Sequence, residues 1–116
     1  MGDSAPMKCR SFKHNFHDGQ LAGFALGPRR ELTLEIALNP VWNKEAPPSV
    51  SVRFGGIENF DEVTSFFRAL PMPPRPDAYI AEVIGLQYLG DGPNWVVIDF
   101  DGHGHIRVQS QHVTES

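Results

Sequence analysis

Alternation of apolar and polar residues is the main signal in this sequence, and it is clearest from Glu31 to Leu38. Four large apolar side chains occupy every second position there: Leu32, Leu34, Ile36 and Leu38. A period of two places all four on one face of a half-buried strand. The same analysis predicts six strands in all, at residues 21–26, 31–38, 49–57, 78–89, 95–100 and 105–113.

The first of these strands, residues 21–26, carries apolar side chains on both of its faces. Regular alternation groups them into two sets: Leu21, Gly23 and Ala25 on one side, and Ala22, Phe24 and Leu26 on the other. On that pattern Leu21 and Phe24 point in opposite directions.

One segment has the spacing of a helix instead of a strand. Its apolar stripe recurs at intervals of three and four residues: Phe60, Val63, Phe67 and Leu70. Asn59 is predicted as the N-cap, accepting a hydrogen bond from the amide of Glu62 while the Glu62 carboxylate reaches back to Asn59. Pro71 ends the helix because a proline cannot continue the hydrogen-bond ladder.

These elements predict an α+β domain of order βββαβββ. The connections between successive strands are short, which favours antiparallel neighbours. A curved, mainly antiparallel sheet of about six strands is therefore expected to curl around the single helix. Residues 1–116 are expected to form one domain, with polar residues 1–11 as a flexible N-terminal segment and proline-rich residues 71–76 as a stiff connector,.

Composition excludes several classes of protein. With 14 acidic and 10 basic residues the chain has a formal charge of −4. It therefore lacks the basic excess with which nucleic-acid binders neutralise phosphates. No run of about 18 apolar residues is present, so no membrane span is expected. Cys9 is the only cysteine and the first residues lack a secretory signal, so a reducing, cytoplasmic location is expected,.

The segment from Asp99 to Ser110 imitates a calcium-binding loop. Acids stand at its first and third positions and a glycine at its sixth. However, His103 occupies the fifth position, and Ser110 occupies the twelfth, where such loops carry a bidentate glutamate. Because both flanks have strand patterns, a β-hairpin turn is predicted here instead of a calcium site.

Four residues are candidate ligands for a transition metal: His17, Asp18, His103 and His105. Imidazole and carboxylate groups can form an open site with three protein ligands and one water. The alternative functional hypothesis is therefore a small metal-dependent enzyme that uses this cluster. The chain has no HExxH motif, nucleophile elbow, phosphate-binding loop or dinucleotide fingerprint, so no cofactor is expected and a non-enzymatic role is favoured,.

Trp42 is the main candidate for binding another protein. It lies in a loop framed by Asn39-Pro40 and Pro47-Pro48, and tryptophan is enriched among the residues that contribute most to protein interfaces. The competing interpretation is that Trp42 folds back over an exposed edge of the core. Further candidate contacts are Arg53, and Asp61 and Glu62, whose charge suits a basic partner.

Three segments resemble small bacterial immunity-type domains of polymorphic toxin systems. They are Asn15–Leu21 with a Phe-His-Asp-x-x-Leu opening, Val52–Phe60 with an apolar-x-Phe-x-Gly-apolar strand, and Trp95–Ile106 with an Asp-x-x-Gly-x-Ile hairpin. The resemblance implies a small cytoplasmic protein that neutralises a partner toxin, such as a basic toxin domain, by direct contact. Self-association through the polar sixth strand or a free sheet face is a further alternative.

Overall fold

The computed structural model describes residues 12–71, 78–89 and 95–116. Its elements are β1 (Gly19–Gly27), β2 (Glu31–Ala37), β3 (Ser49–Ile57), α1 (Phe60–Arg68), β4 (Ala81–Tyr88), β5 (Trp95–Phe100) and β6 (Gly104–Glu115). The predicted order βββαβββ, with six antiparallel strands and one helix, is confirmed. The expected flexible segment at 1–11, with Cys9, and most of the connector at 71–76 lie outside the described residues.

The sheet closes on itself into a barrel with strand order β1-β2-β3-β6-β5-β4. Closure gives each strand a neighbour on both sides and so removes most of the exposed strand edge. β1 and β4 meet over three residue pairs only, where Gly19, Gln20 and Leu21 lie opposite Val83, Glu82 and Ala81. We call this short contact the β1–β4 seam. The sequence predicted the curvature of the sheet but not its closure.

Two β-bulges flank the β1–β4 seam, one at Ala22 in β1 and one at Ile84 in β4. An extra residue in a strand turns the side chains after it to the other face. Leu21 lies opposite Ile36 and Phe24 opposite Leu34, and all four belong to the core or pack against it. The prediction that Leu21 and Phe24 face opposite ways is therefore wrong, because the bulge lies between them.

The helix α1 covers one end of the barrel. Val63 and Phe67 are fully buried, and the Phe67 ring lies 5.3 Å from that of Phe24 in β1 and 5.9 Å from that of Phe100 in β5. The helix therefore contributes its apolar stripe to the barrel interior, as its spacing predicted. No helix in the described ranges is long and apolar enough to cross a membrane.

Asn59 joins α1 to the edge of β6 instead of capping the helix. Its Oδ1 accepts a hydrogen bond from the Gln109 amide at 2.9 Å, and its Nδ2 donates to the Arg107 carbonyl at 2.7 Å. The Glu58 amide adds a bond to the Gln109 carbonyl. Because β6 occupies the Asn59 side chain, the predicted N-cap bond from the Glu62 amide is wrong. Instead, Asn59 Nδ2 lies 3.2 Å from a carboxylate oxygen of Glu62.

β5 and β6 form the hairpin that the sequence predicted in place of a calcium loop. A turn over 101–103 joins two strands, and both Gly102 and Gly104 have positive φ, at 76° and 82°. Glycine adopts this left-handed conformation without the steric cost that a Cβ adds. The segment therefore lacks the two flanking helices of a calcium-binding loop.

Phe67→Ala is expected to lower the free energy of unfolding by about 3–5 kcal/mol, because it opens a cavity between α1 and the barrel interior. Urea unfolding followed by circular dichroism measures the change. The matched control is Arg68→Ala, which truncates the next residue on the exposed face and is expected to change stability by about 0.5 kcal/mol or less,. Equal losses in the two variants would contradict the packing described.

Candidate functional site

Three segments meet at the end of the barrel that lies opposite α1: residues 12–18, the loop 38–48 and the end of β6. The Glu115 carboxylate joins the first to the last. One of its oxygens accepts the Lys13 amide at 2.6 Å, and the other accepts the His14 amide at 3.1 Å and the His14 Nδ1 at 2.9 Å. Three hydrogen bonds accepted by one carboxylate thus fix Lys13 and His14 against β6.

Reciprocal hydrogen bonds between two asparagines connect the segment 12–18 to the loop 38–48. The Asn15 amide donates to Asn43 Oδ1 at 3.0 Å, and Asn43 Nδ2 donates to the Asn15 carbonyl at 2.7 Å. Within the loop, Asn39 accepts from the amides of Val41 and Trp42 and from Asn43 Nδ2. The backbone on both sides of the Trp42 side chain is thereby fixed.

His17 connects Trp42 to the β-bulge of β4. Its Nδ1 donates to the Ile84 carbonyl at 2.9 Å, so this nitrogen carries a hydrogen. Ile84 is the extra residue of the bulge, and bulges leave backbone groups outside the ladder that need other partners. The His17 ring also meets the Trp42 ring at 5.6 Å and 66°, an edge-to-face contact,.

Trp42 is held in place but open to solvent. Its indole Nε1 donates to Asp18 Oδ2 at 3.4 Å, while 49% of the residue is exposed. Two further apolar residues nearby are exposed. Val41, the residue before Trp42, is 66% exposed, and Ile84, on the other side of His17, is 38% exposed. We call Val41, Trp42, His17 and Ile84 the Trp42 patch. Trp42 belongs to the exposed large apolar residues of the described chain, so about half of its surface is available to another molecule.

The other predicted binding residues lie away from the Trp42 patch. Arg53 is exposed on β3, and Asp61 and Glu62 are exposed in the first turn of α1. β3 runs from the loop that carries Trp42 to the end that α1 covers, and its nine residues span about 26 Å. The four predicted binding residues therefore do not form one surface.

Only two of the four candidate metal ligands meet. His17 Nε2 lies 3.5 Å from Asp18 Oδ2, whereas His103 is in the β5–β6 turn and His105 is on β6. His105 lies opposite Asp99 in β5, and β4 with the Ile84 bulge lies beyond it, so about 10 Å of sheet separates His105 from the bulge. In the described ranges, no three His, Cys, Asp or Glu side chains are placed to hold a metal ion.

Comparison with known proteins found no relative: no protein-family model matches the chain, and neither does any curated protein or solved structure. The functional interpretation therefore depends on the geometry of the Trp42 patch.

Of the residues that support Trp42, His17 and Asp18 were singled out from the sequence as candidate metal ligands, whereas Asn15 and Asn43 were not identified. Asparagine in a proline-framed loop is a signal for side chain to backbone hydrogen bonds, but the partner of Asn43 is Asn15, and only the fold brings them together. The bulge at Ile84 has a weak signal in the glycine that follows it, because glycine inside a strand pattern often marks a bulge.

Asn43→Ala is expected to loosen Trp42, because it removes the hydrogen bonds that join the loop to Asn15 and Asn39. Stability is expected to fall by about 1–3 kcal/mol, and the heteronuclear NOE of the Trp42 indole N–H should fall. Trp95, which is half-buried on β5, provides an internal reference whose NOE should not change. Lys44→Ala, an exposed neighbour in the loop, is the control. An unchanged Trp42 NOE in Asn43→Ala would show that these bonds do not order the loop.

Proposed function

We propose that this protein is a non-enzymatic domain that binds another protein through the Trp42 patch. The observation that supports this most is the combination of support and exposure at Trp42. His17, Asp18 and the asparagine bonds of the loop hold the residue, and half of its surface is open. A side chain that is already ordered loses little entropy on binding, and tryptophan is typical of the residues that dominate interface energies.

The partner is proposed to be a basic protein. The chain carries a net charge of −4, and the Asp18 carboxylate at the border of the Trp42 patch is 40% exposed. Complementary charge around an apolar centre speeds association and excludes wrong partners. A specific complex of standard size covers about 800 Å² on each protein, so the interface extends beyond the Trp42 patch onto the neighbouring strands.

The resemblance to immunity-type domains supports a more specific form of the proposal. In that form the protein acts in the bacterial cytoplasm and neutralises a toxin domain by covering part of its surface. Such a role needs a fixed, complementary surface and no reactive group. The Trp42 patch has the fixed aromatic centre that this mode of action requires.

The test begins with a photo-crosslinking amino acid at position 41, which is beside Trp42 and the most exposed apolar residue of the patch. The same amino acid at position 68, on the exposed face of α1, is the control. Crosslinking is carried out in cells that make this protein and its partner. A protein that is captured from position 41 but not from position 68 is then purified. Crosslinks that join only copies of this chain would indicate a homodimer and contradict the proposal.

With the purified partner, Trp42→Ala is expected to weaken binding about 30-fold, which corresponds to about 2 kcal/mol. Isothermal titration calorimetry measures the dissociation constant. Arg68→Ala is expected to leave it within about twofold, because a residue outside the interface contributes no binding energy. An unchanged affinity in Trp42→Ala would place the interface elsewhere.

A further inference from the structure

A notch in the outer face of the barrel adjoins the Trp42 patch. It has a volume of about 430 Å³ and is lined by Ile84, Gly85, Gln87, Val97, Asp99 and His105. Ile84 belongs to both features, since its side chain borders the notch and its carbonyl binds His17. A protein seated on the Trp42 patch therefore lies next to this notch.

The notch exists because β4 has a glycine where the neighbouring strands have side chains. Gly85 lies opposite Asp99 in β5, and Asp99 lies opposite His105 in β6. A Cβ added to Gly85 meets no atom within 4 Å, so the space beside the Asp99 side chain is open. Glycine weakens a strand relative to residues that have a side chain, and nothing in the packing of this position requires it.

The Asp99 carboxylate at this notch has no cationic partner in the described part of the chain. The ion pairs there are His14 with Glu115 and His17 with Asp18. The Asp99 side chain makes no hydrogen bond or ion pair with the described residues. The His105 imidazole, which also lines the notch, lies opposite Asp99 on the neighbouring strand. The walls beside the carboxylate combine the aliphatic side chains of Ile84 and Val97 with the amide of Gln87.

We propose that this notch receives an arginine or lysine side chain of the partner protein, with its charged end on the Asp99 carboxylate. The inference rests on the proposed function, because the partner bound at the Trp42 patch supplies the side chain. Aliphatic walls cover the methylene stem of such a residue while its charged end reaches a polar group. A charge-assisted hydrogen bond to a carboxylate is about twice as strong as a neutral one. The partner is thus defined as a protein that presents a basic residue beside an apolar contact for Trp42.

The notch can be tested without the partner. The probes are N-acetyl-arginine amide and N-acetyl-lysine amide, and N-acetyl-citrulline amide is the neutral control of nearly the same shape as the first. In titrations followed by ¹H–¹⁵N NMR, both cations are expected to shift the amide signals of Gly85 and Asp99 in a saturable way. Binding of the citrulline probe is expected to be at least fivefold weaker. Equal shifts with the neutral probe would overturn the inference.

Two substitutions test the two parts of the notch. Asp99→Asn removes the charge, and Gly85→Val fills the space; each is expected to abolish saturable binding of the cationic probes. Asp61→Asn removes the same charge from α1 and should have no effect. If Gly85→Val does not fold, Asp99→Asn alone decides, because the Cβ of Gly85→Ala would meet no atom within 4 Å and would leave most of the space open. Full binding in Asp99→Asn or in the folded Gly85 variant would contradict the proposal.

A wrong inference about the notch can be distinguished from a wrong proposed function. Trp42→Ala should leave binding of the small probes unchanged while it weakens binding of the partner. If the probes do not bind but Trp42→Ala still weakens the complex, the inference about the notch is wrong, and the proposal that the partner binds at the Trp42 patch is supported. If the probes bind but Trp42→Ala has no effect on the complex, the proposed function is wrong.

Discussion

Closure of the barrel at the β1–β4 seam is the constraint on which the rest of this structure depends. The seam has three residue pairs, and without it two strands would each expose a free edge. Leu21 and Phe24 are three residues apart, as are Val83 and Leu86, yet all four contribute to the core. A regular strand cannot place residues at that spacing on one face. The two bulges next to the seam resolve this conflict, and they allow both strands to curve into a closed barrel.

The bulge in β4 also links the fold to the proposed binding surface. Its carbonyl orients the His17 ring, which in turn supports Trp42. The Ile84 side chain adds apolar area to the Trp42 patch, and Gly85 opens the notch beside Asp99. One irregularity in a single strand thus supplies the support for the aromatic residue, part of the exposed surface and the adjacent cavity. This agrees with the general tendency of bulges to lie beside functional sites.

The predictive power of the sequence varied with the range over which each contact acts. Alternation was sufficient for β2 and for β3 as far as Phe54, where one face of each strand is buried without interruption. It failed at Phe24 because the bulge at Ala22 has only the weak signal of the glycine that follows it,. It failed at Asn59 because a β6 backbone 48–50 residues away competes with the helix for the same side chain. Trp42 was identified as a candidate, but its support comes from Asn15 and Asn43, which are 28 residues apart.

The position of β6 in the barrel has a consequence for how the protein is made. β6 pairs with β3 on one side and with β5 on the other, and it follows both along the chain. During synthesis on the ribosome, the edges of β3 and β5 therefore lie uncovered until residues 104–115 have emerged. Uncovered edges are templates on which other nascent chains can pair. The nascent barrel is thus open to such pairing in the interval before this one strand is released.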